Sequence, residues 1–188
     1  VVVLFLCSMR IISGLHKGFR FPEKNMPHAR PTTDRAKEAL FNILDQTYYF
    51  EDIKVLDLYS GLGSVALEFC SRGTTDITAV DFNRKSIAYI NELVAKLKTP
   101  LQLEQEKVLS YLAKDENQYD IIFADPPYND NAEIHALVET ISTGNYLRKG
   151  GLFILEHQAM TMVDPTFISD KREYGQSTFS FFNFDEEE

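Results

Sequence analysis

Tryptophan is absent from this 188-residue chain, and cysteine occurs only twice, at Cys7 and Cys70. Two cysteines cannot build the dense disulfide framework of a small secreted domain, so a reducing, cytoplasmic setting is the expectation. Cys70 falls beside Leu67 and Phe69 in a helical pattern and reads as a buried core thiol. The four histidines, His16, His28, His135 and His157, are scattered. No Cys/His spacing of a zinc site is formed, and no metal is expected. Long apolar runs are missing as well. Val1 to Leu6 is apolar, but six residues are too few to span a bilayer, and no basic stretch precedes them as in a secretory signal. Met9 is the expected natural start, with residues 1–8 an extension or a start-assignment artefact. No membrane association is expected, and the chain is expected to act as a monomer.

Positive charge is also scarce: 19 Lys and Arg against 28 Asp and Glu give a net charge of −9. That excludes a uniformly basic nucleic-acid coat. The distribution is uneven, however. Residues 1–40 hold seven basic residues (Arg10, Lys17, Arg20, Lys24, Arg30, Arg35, Lys37) and three acids (Glu23, Asp34, Glu38), a balance of +4. The other 148 residues carry −13, four of those charges in the terminal Asp185-Glu186-Glu187-Glu188, a solvated tail. A basic N-terminal face on an acidic body fits phosphate contact, with Arg10, His16, Lys17, Arg20, Arg30 and Arg35 as candidates. Scattered surface charge of no consequence is the competing reading.

What is present in quantity is alternation. Apolar runs at 54–59, 76–81, 101–105, 119–124 and 151–156 read as strands. Helical patterns at 64–72, 83–97, 107–114 and 131–142 separate them. This predicts an α/β fold with a mostly parallel sheet and helices on both faces. Met9–Ser13 and Gly18–Phe21 read as an N-terminal β-hairpin, followed by a breaker-rich loop from Pro22 to Pro31. Thr32 or Thr33 is placed to cap a helix carrying Ala36, Leu40, Ile43 and Leu44 at helical spacing. Arg172–Tyr174 and Thr178–Phe184 around Gly175-Gln176-Ser177 read as a closing hairpin. A single domain over 9–184 is expected, with 9–50 as its RNA-facing hairpin and helix.

The strand at 119–124 ends in Asp125-Pro126-Pro127-Tyr128. In open α/β sheets, ligands bind at the carboxyl ends of the strands. Each proline fixes φ and lacks an N–H, so the turn is rigid and its carbonyls are unpaired. A fixed carboxylate and an outward carbonyl can accept both hydrogens of a flat amino group, and Tyr128 can stack on the base that carries it. The first strand runs into a second motif, Asp57-Leu58-Tyr59-Ser60-Gly61-Leu62-Gly63. Its glycines allow close backbone approach, and the next helix offers free N–H groups. Asp57 would repel a pyrophosphate and suits a cation. Asp81, with Phe82 after it, lies 20 residues beyond Gly61, where a ribose diol is held. A ligand with an adenosine end and a positive centre fits this set: S-adenosylmethionine. The donor candidates are Asp57, Tyr59, Gly61, Gly63, Asp81, Phe82 and Asp125.

With these motifs, Met9-Arg10-Ile11-Ile12-Ser13-Gly14, Lys17-Gly18-Phe19-Arg20, Arg30-Pro31-Thr32-Thr33-Asp34-Arg35 and Thr178–Phe182 make the chain resemble the bacterial 16S rRNA guanine-N2 methyltransferases, the RsmD family. The resemblance covers Met9 to about Phe182. It implies a class I, Rossmann-like S-adenosylmethionine-dependent methyltransferase fold. It also implies 16S rRNA, in the small ribosomal subunit or an assembly intermediate, as partner. Asp125, Pro126, Pro127 and Tyr128 would be the catalytic set. One departure stands out. The family places an Asp-Ala pair after the third strand, where this chain has Lys107-Val108. Adenine contacts would then fall to Glu106 or the Val108 backbone. Competing readings are a DNA adenine-N6 or cytosine-N4 methyltransferase, for which 188 residues leave no recognition domain, and a catalytically silent RNA-binding assembly factor. Glutamine methyltransferases of release factors begin the tetrad with Asn, unlike Asp125.

Overall fold

The computed structural model describes residues 9–22, 33–127, 131–161, 163 and 165–184. Residues 1–8, 23–32, 128–130 (Tyr128 among them), 162, 164 and 185–188 lie outside the described residues, and with them most of the loop expected from Pro22 to Pro31. Helix α1 (Asp34–Leu44) opens at Thr33, whose extended backbone (φ −63°, ψ 150°) lets its hydroxyl accept from the Ala36 N–H at 3.2 Å. Strands and helices then alternate: β1 (Lys54–Leu58), α2 (Ser64–Arg72), β2 (Asp76–Val80), α3 (Arg84–Leu97), β3 (Gln102–Glu104), α4 (Val108–Leu112), β4 (Tyr119–Ala124), α5 (Asn131–Thr143) and β5 (Leu147–His157). Two further strands, β6 (Ile168–Tyr174) and β7 (Ser177–Phe182), close the fold.

The seven strands run in the order β3-β2-β1-β4-β5-β7-β6. β1 to β5 are mutually parallel, and β7 inserts antiparallel between β5 and β6. The strand order reverses between β1 and β4, so their carboxyl ends open the crevice where such sheets take ligands. The pleat sorts side chains to two layers. Val55, Ile121, Phe123, Ile154 and Phe179 pack with α1, α2 and α3 through Leu40, Phe41, Leu67, Phe69 and Ile90. Leu56, Leu58, Ile122, Ala124 and Phe153 face α4 and α5 through Val108, Leu112, Ile134 and Leu137. Cys70 is buried, as its pattern predicts.

Two expectations need correction. β5 begins at Leu147, not 151, because the chain bends through Gly150 (φ 75°) and keeps pairing with β4, Leu147 opposite Tyr119. β6 begins at Ile168, and the Tyr174–Ser177 pairing leaves a two-residue loop, Gly175-Gln176. The N-terminal arms pair as a hairpin through Ile11 N–H to Phe19 O (2.9 Å), Gly18 N–H to Ile11 O (2.8 Å) and Phe21 N–H to Met9 O (3.0 Å). They form no extended ladder, only the Arg10–Arg20 bridge.

What fixes the hairpin is a set of buried charges on α1 and α2. The Glu68 carboxylate accepts from the Ile12 N–H (2.7 Å), the Ser13 N–H (3.0 Å) and Arg72 Nε (2.9 Å). Lys37 Nζ lies 3.8 Å from it and donates to Arg10 O at 2.6 Å. Lys37 and Glu68 are both 0 % exposed. Ser71 Oγ donates to Ser13 O (2.6 Å) and accepts from the His16 N–H (2.9 Å). Gly14 (φ 82°) crosses so close that a Cβ would stand 1.8 Å from Ser71 O. The arms are therefore seated on the same helix that begins at the Gly61–Gly63 turn.

Candidate active site

The turn after β1 is wound tightly by three residues at positive φ: Tyr59 (58°), Gly61 (54°) and Gly63 (71°). Glycine accepts this freely; a tyrosine does so rarely. The Ser60 N–H donates to Val80 O (3.1 Å), and its hydroxyl donates to Asp57 O (2.7 Å). The Gly61 N–H donates to Asp81 Oδ2 (2.8 Å), and the Asn83 N–H to Asp81 Oδ1 (2.7 Å). The Asp81 N–H reaches Glu104 O at 3.1 Å. The carboxyl ends of β1, β2 and β3 are thus stitched into one rim. Gly63 is the N-cap of α2 and offers no side chain to its free N–H groups. A Cβ on Gly63 would press on Ile90 Cγ1 at 3.0 Å.

Acids gather on this rim. Asp57 is 1 % exposed, and its Oδ2 has no hydrogen-bond partner among the described residues. Burial pushes the Asp57 carboxyl up to about 7, against the opposing effect of hydrogen bonds from Ser60 and the Ala66 backbone. Asp125 stands one residue beyond β4, and its N–H donates to Leu58 O at 3.3 Å. Burial first, then the charges of Glu156 and Asp57, hold its carboxyl well above the ordinary carboxylate range. Part of the residue's surface stays accessible. Pro126 is buried and Pro127 exposed.

Sequence reasoning missed Glu156. It is 1 % exposed near the end of β5, and the Ala124–Leu155 pairing places it beside Asp125. The available signal was an acid closing an apolar strand at the same sheet edge as Asp125.

The remaining expected donor residues divide. Phe82 follows Asp81 at the rim and is 61 % exposed, an open aromatic face. The Tyr59 hydroxyl donates to Glu133 Oε1 of α5 at 2.7 Å. Glu106 forms a salt bridge with Lys114 Nζ at 2.6 Å, and Val108 opens α4, buried at 3 %.

The basic candidates collect on the arms and α1, away from this rim in sequence and in element. Lys17, Arg20 and Arg35 are exposed, and His16 is half-buried. Arg10 is already engaged, its Nε 3.4 Å from Asp34 Oδ2. Arg30, like Tyr128, lies outside the described residues. Among the described residues no group of three or more His, Cys, Asp or Glu could hold a metal, and no helix is long and apolar enough to cross a membrane.

A family model described as conserved hypothetical protein 95, that of the RsmD family, matches residues 9–183. The chain belongs to this family. It is 34 % identical over 157 residues to the ribosomal RNA small subunit methyltransferase D of Haemophilus influenzae, spanning 79 % of this chain and 78 % of that protein. A hypothetical protein of Thermus thermophilus superposes with a TM-score of 0.80 at 25 % identity, over 92 % of this chain and 98 % of that one. The 16S rRNA N2 methyltransferase RsmC of Thermus thermophilus, solved with AdoMet and guanosine, shares the fold. Its TM-score is 0.64 at 20 % identity, over 82 % of this chain and 44 % of that one. The RsmD-family chain thus has the Rossmann-like methyltransferase fold, with its acidic rim at the edge of the sheet that takes ligands.

Proposed function

We propose that this protein transfers a methyl group from S-adenosylmethionine to the exocyclic N2 amine of a guanine in small-subunit ribosomal RNA, in the cytoplasm. The observation that carries the reading is Asp125, pinned by its N–H to Leu58 O on the strand that also bears Asp57. A group that accepts from an amine and a group suited to a cation are thereby set on adjacent strand ends.

The donor fits the residues present. Asp57 Oδ2 is a buried oxygen lacking a hydrogen-bond partner among the described residues, and a cationic group is the partner such an atom lacks. Asp81, its oxygens accepting from the Gly61 and Asn83 N–H groups, is held at the rim as the acceptor for a ribose diol. Phe82 offers an exposed ring for an adenine. When bound, S-adenosylmethionine supplies a methyl group already activated on a sulfonium. What remains for the protein is placement of the amine and removal of its proton.

Asp125 and the carbonyl of Pro126 accept the two amine hydrogens. They hold the nitrogen so that its lone pair, otherwise delocalised into the ring, is directed toward the methyl. Tyr128 stacks on the base. The proton shed by the amine passes to an Asp125 carboxylate oxygen. The raised pKa makes that oxygen a stronger base than an ordinary carboxylate. The arms, with Lys17, Arg20 and Arg35 exposed, meet RNA phosphates.

The test is labelled-methyl transfer to small-subunit particles, followed by nucleoside analysis. Label in N2-methylguanosine is expected. Asp125→Ala should abolish it while leaving donor affinity intact, because Asp125 meets the acceptor amine. Label in N6-methyladenine of DNA would transfer the case to a DNA enzyme. Donor binding with no label on any nucleic acid would identify a silent assembly factor.

A further inference from the structure

Two consecutive residues at the end of β1 hold the two ends of the acceptor segment. The Leu58 carbonyl accepts the Asp125 N–H at 3.3 Å. The Tyr59 hydroxyl donates to Glu133 Oε1, in the first turn of α5, at 2.7 Å. Between Asp125 and Glu133 run Pro126, Pro127, Tyr128 and the four residues after it. The Tyr59 bond spans 74 positions of sequence and is part-buried. Tyr59 reaches Glu133 from a backbone at φ 58°, a region that bulky L residues seldom enter. Such conformations persist where the surroundings over-determine them, and they cluster at functional sites. The Tyr59 ring packs against the α4/α5 side of the core, the cluster that holds Leu58, Ile122 and Ile134.

We infer that Tyr59 and Glu133 form a positioning pair: their hydrogen bond holds the first turn of α5 to the end of β1, so that β1 sets the donor turn, Asp125 and the start of α5 in one frame. This assigns Tyr59 to the acceptor side, where the sequence pattern assigns it to the donor. Neither residue touches the reacting atoms. Their effect is to fix in advance the frame in which Asp125 meets the base. A purely local role for Glu133 is the alternative: an acid in the first turn of a helix is favoured by the helix dipole without any partner. That role needs the charge, whereas the clamp needs only an acceptor oxygen, and glutamine separates the two.

The inference rests on the methyl-transfer reading for its kinetic arm and on none for its structural arm. Tyr59→Phe keeps the ring and removes the donor; Glu133→Ala removes the acceptor; Glu133→Gln keeps an acceptor oxygen. Donor affinity is measured by calorimetry with S-adenosylmethionine, kcat/KM with small-subunit particles, and amide exchange over α5 (Asn131–Thr143) in the free protein. Tyr59→Phe and Glu133→Ala should each lower kcat/KM about tenfold, the scale of one lost hydrogen bond to a charged group. Each should speed exchange over α5 and leave the donor Kd within twofold. The double variant should be no worse than either single, and Glu133→Gln should restore both readouts. Unchanged exchange and kcat/KM in Tyr59→Phe overturns the pair. So does a donor Kd that weakens in step with kcat/KM, which would return Tyr59 to the donor side. If the unaltered protein methylates no nucleic acid, the functional reading fails, and the exchange arm alone decides the clamp.

Discussion

Replacing Glu68 with alanine tests whether buried charge holds the N-terminal arms. The substitution removes the acceptor of the Ile12 and Ser13 N–H groups and the partner of Arg72 Nε. It also leaves Lys37, 0 % exposed, without the carboxylate 3.8 Å away. Stripping one member from a buried ion pair costs about 3–5 kcal/mol, because the other charge stays desolvated. A chain of this size loses about 2–4 °C in Tm per kcal/mol, so a fall of roughly 6–20 °C is expected. Thermal and urea unfolding followed by circular dichroism read this directly. The chain has one route around the cost: the arms can detach and hydrate Lys37. In that case the midpoint holds, but the Ile12 and Ser13 amides exchange freely. Lys37→Met with Glu68→Gln should recover part of the loss, since the Lys37 charge is gone and Gln retains an acceptor oxygen for Ile12, while Arg72 loses its carboxylate partner. A Glu68→Ala protein with both midpoint and amide protection within error of the parent would refute the reasoning.

Other outcomes follow from the rim and the arms. Asp57 binds its proton more tightly folded (about 7) than unfolded, so between pH about 4 and 7 the native state holds more protons. Stability should therefore fall as pH rises through that window, and Asp57→Asn should flatten the slope in urea titrations. Donor affinity should move the opposite way, strengthening as pH rises through about 7, because the ionised carboxylate is the form that meets a cation. Lys17→Glu with Arg20→Glu should weaken RNA binding and reduce the log–log salt slope by roughly 1–2, with donor binding unchanged; filter binding across a salt series reads it.

Much of this architecture was legible because parallel strands buried on both faces appear as short apolar runs, and the helices between them keep their own period. The boundaries that slipped did so for physical reasons. Leu147-Arg148-Lys149 looks like loop, yet Arg148 is exposed at a sheet margin and pairs with Asp120 at 2.7 Å, so the strand extends below its apolar part. Asp57, Gly61, Gly63, Asp81 and Asp125 were readable because each closes or follows a strand, and the strand ends meet. Lys37 and Glu68 were not. At helical spacing a charge reads as solvated, and only backbone N–H groups 55 and 56 positions away make Glu68 a buried residue. Glu133 and Glu156 escaped for the same reason: their partners are set by sheet order and helix docking, which no local pattern records.

The β1–β4 ladder also has a consequence in time. It joins Val55 to Ile121, whereas the β1–β2 ladder joins Val55 to Ile77. Closing the longer loop costs more chain entropy and is the slower event. During refolding, the donor half can organise from near neighbours, while Asp125 and the clamp at Glu133 arrive only when β4 docks. The expected order is a half-built crevice completed late, and pulse-labelled exchange should show the β1 and β2 amides protected before those of β4.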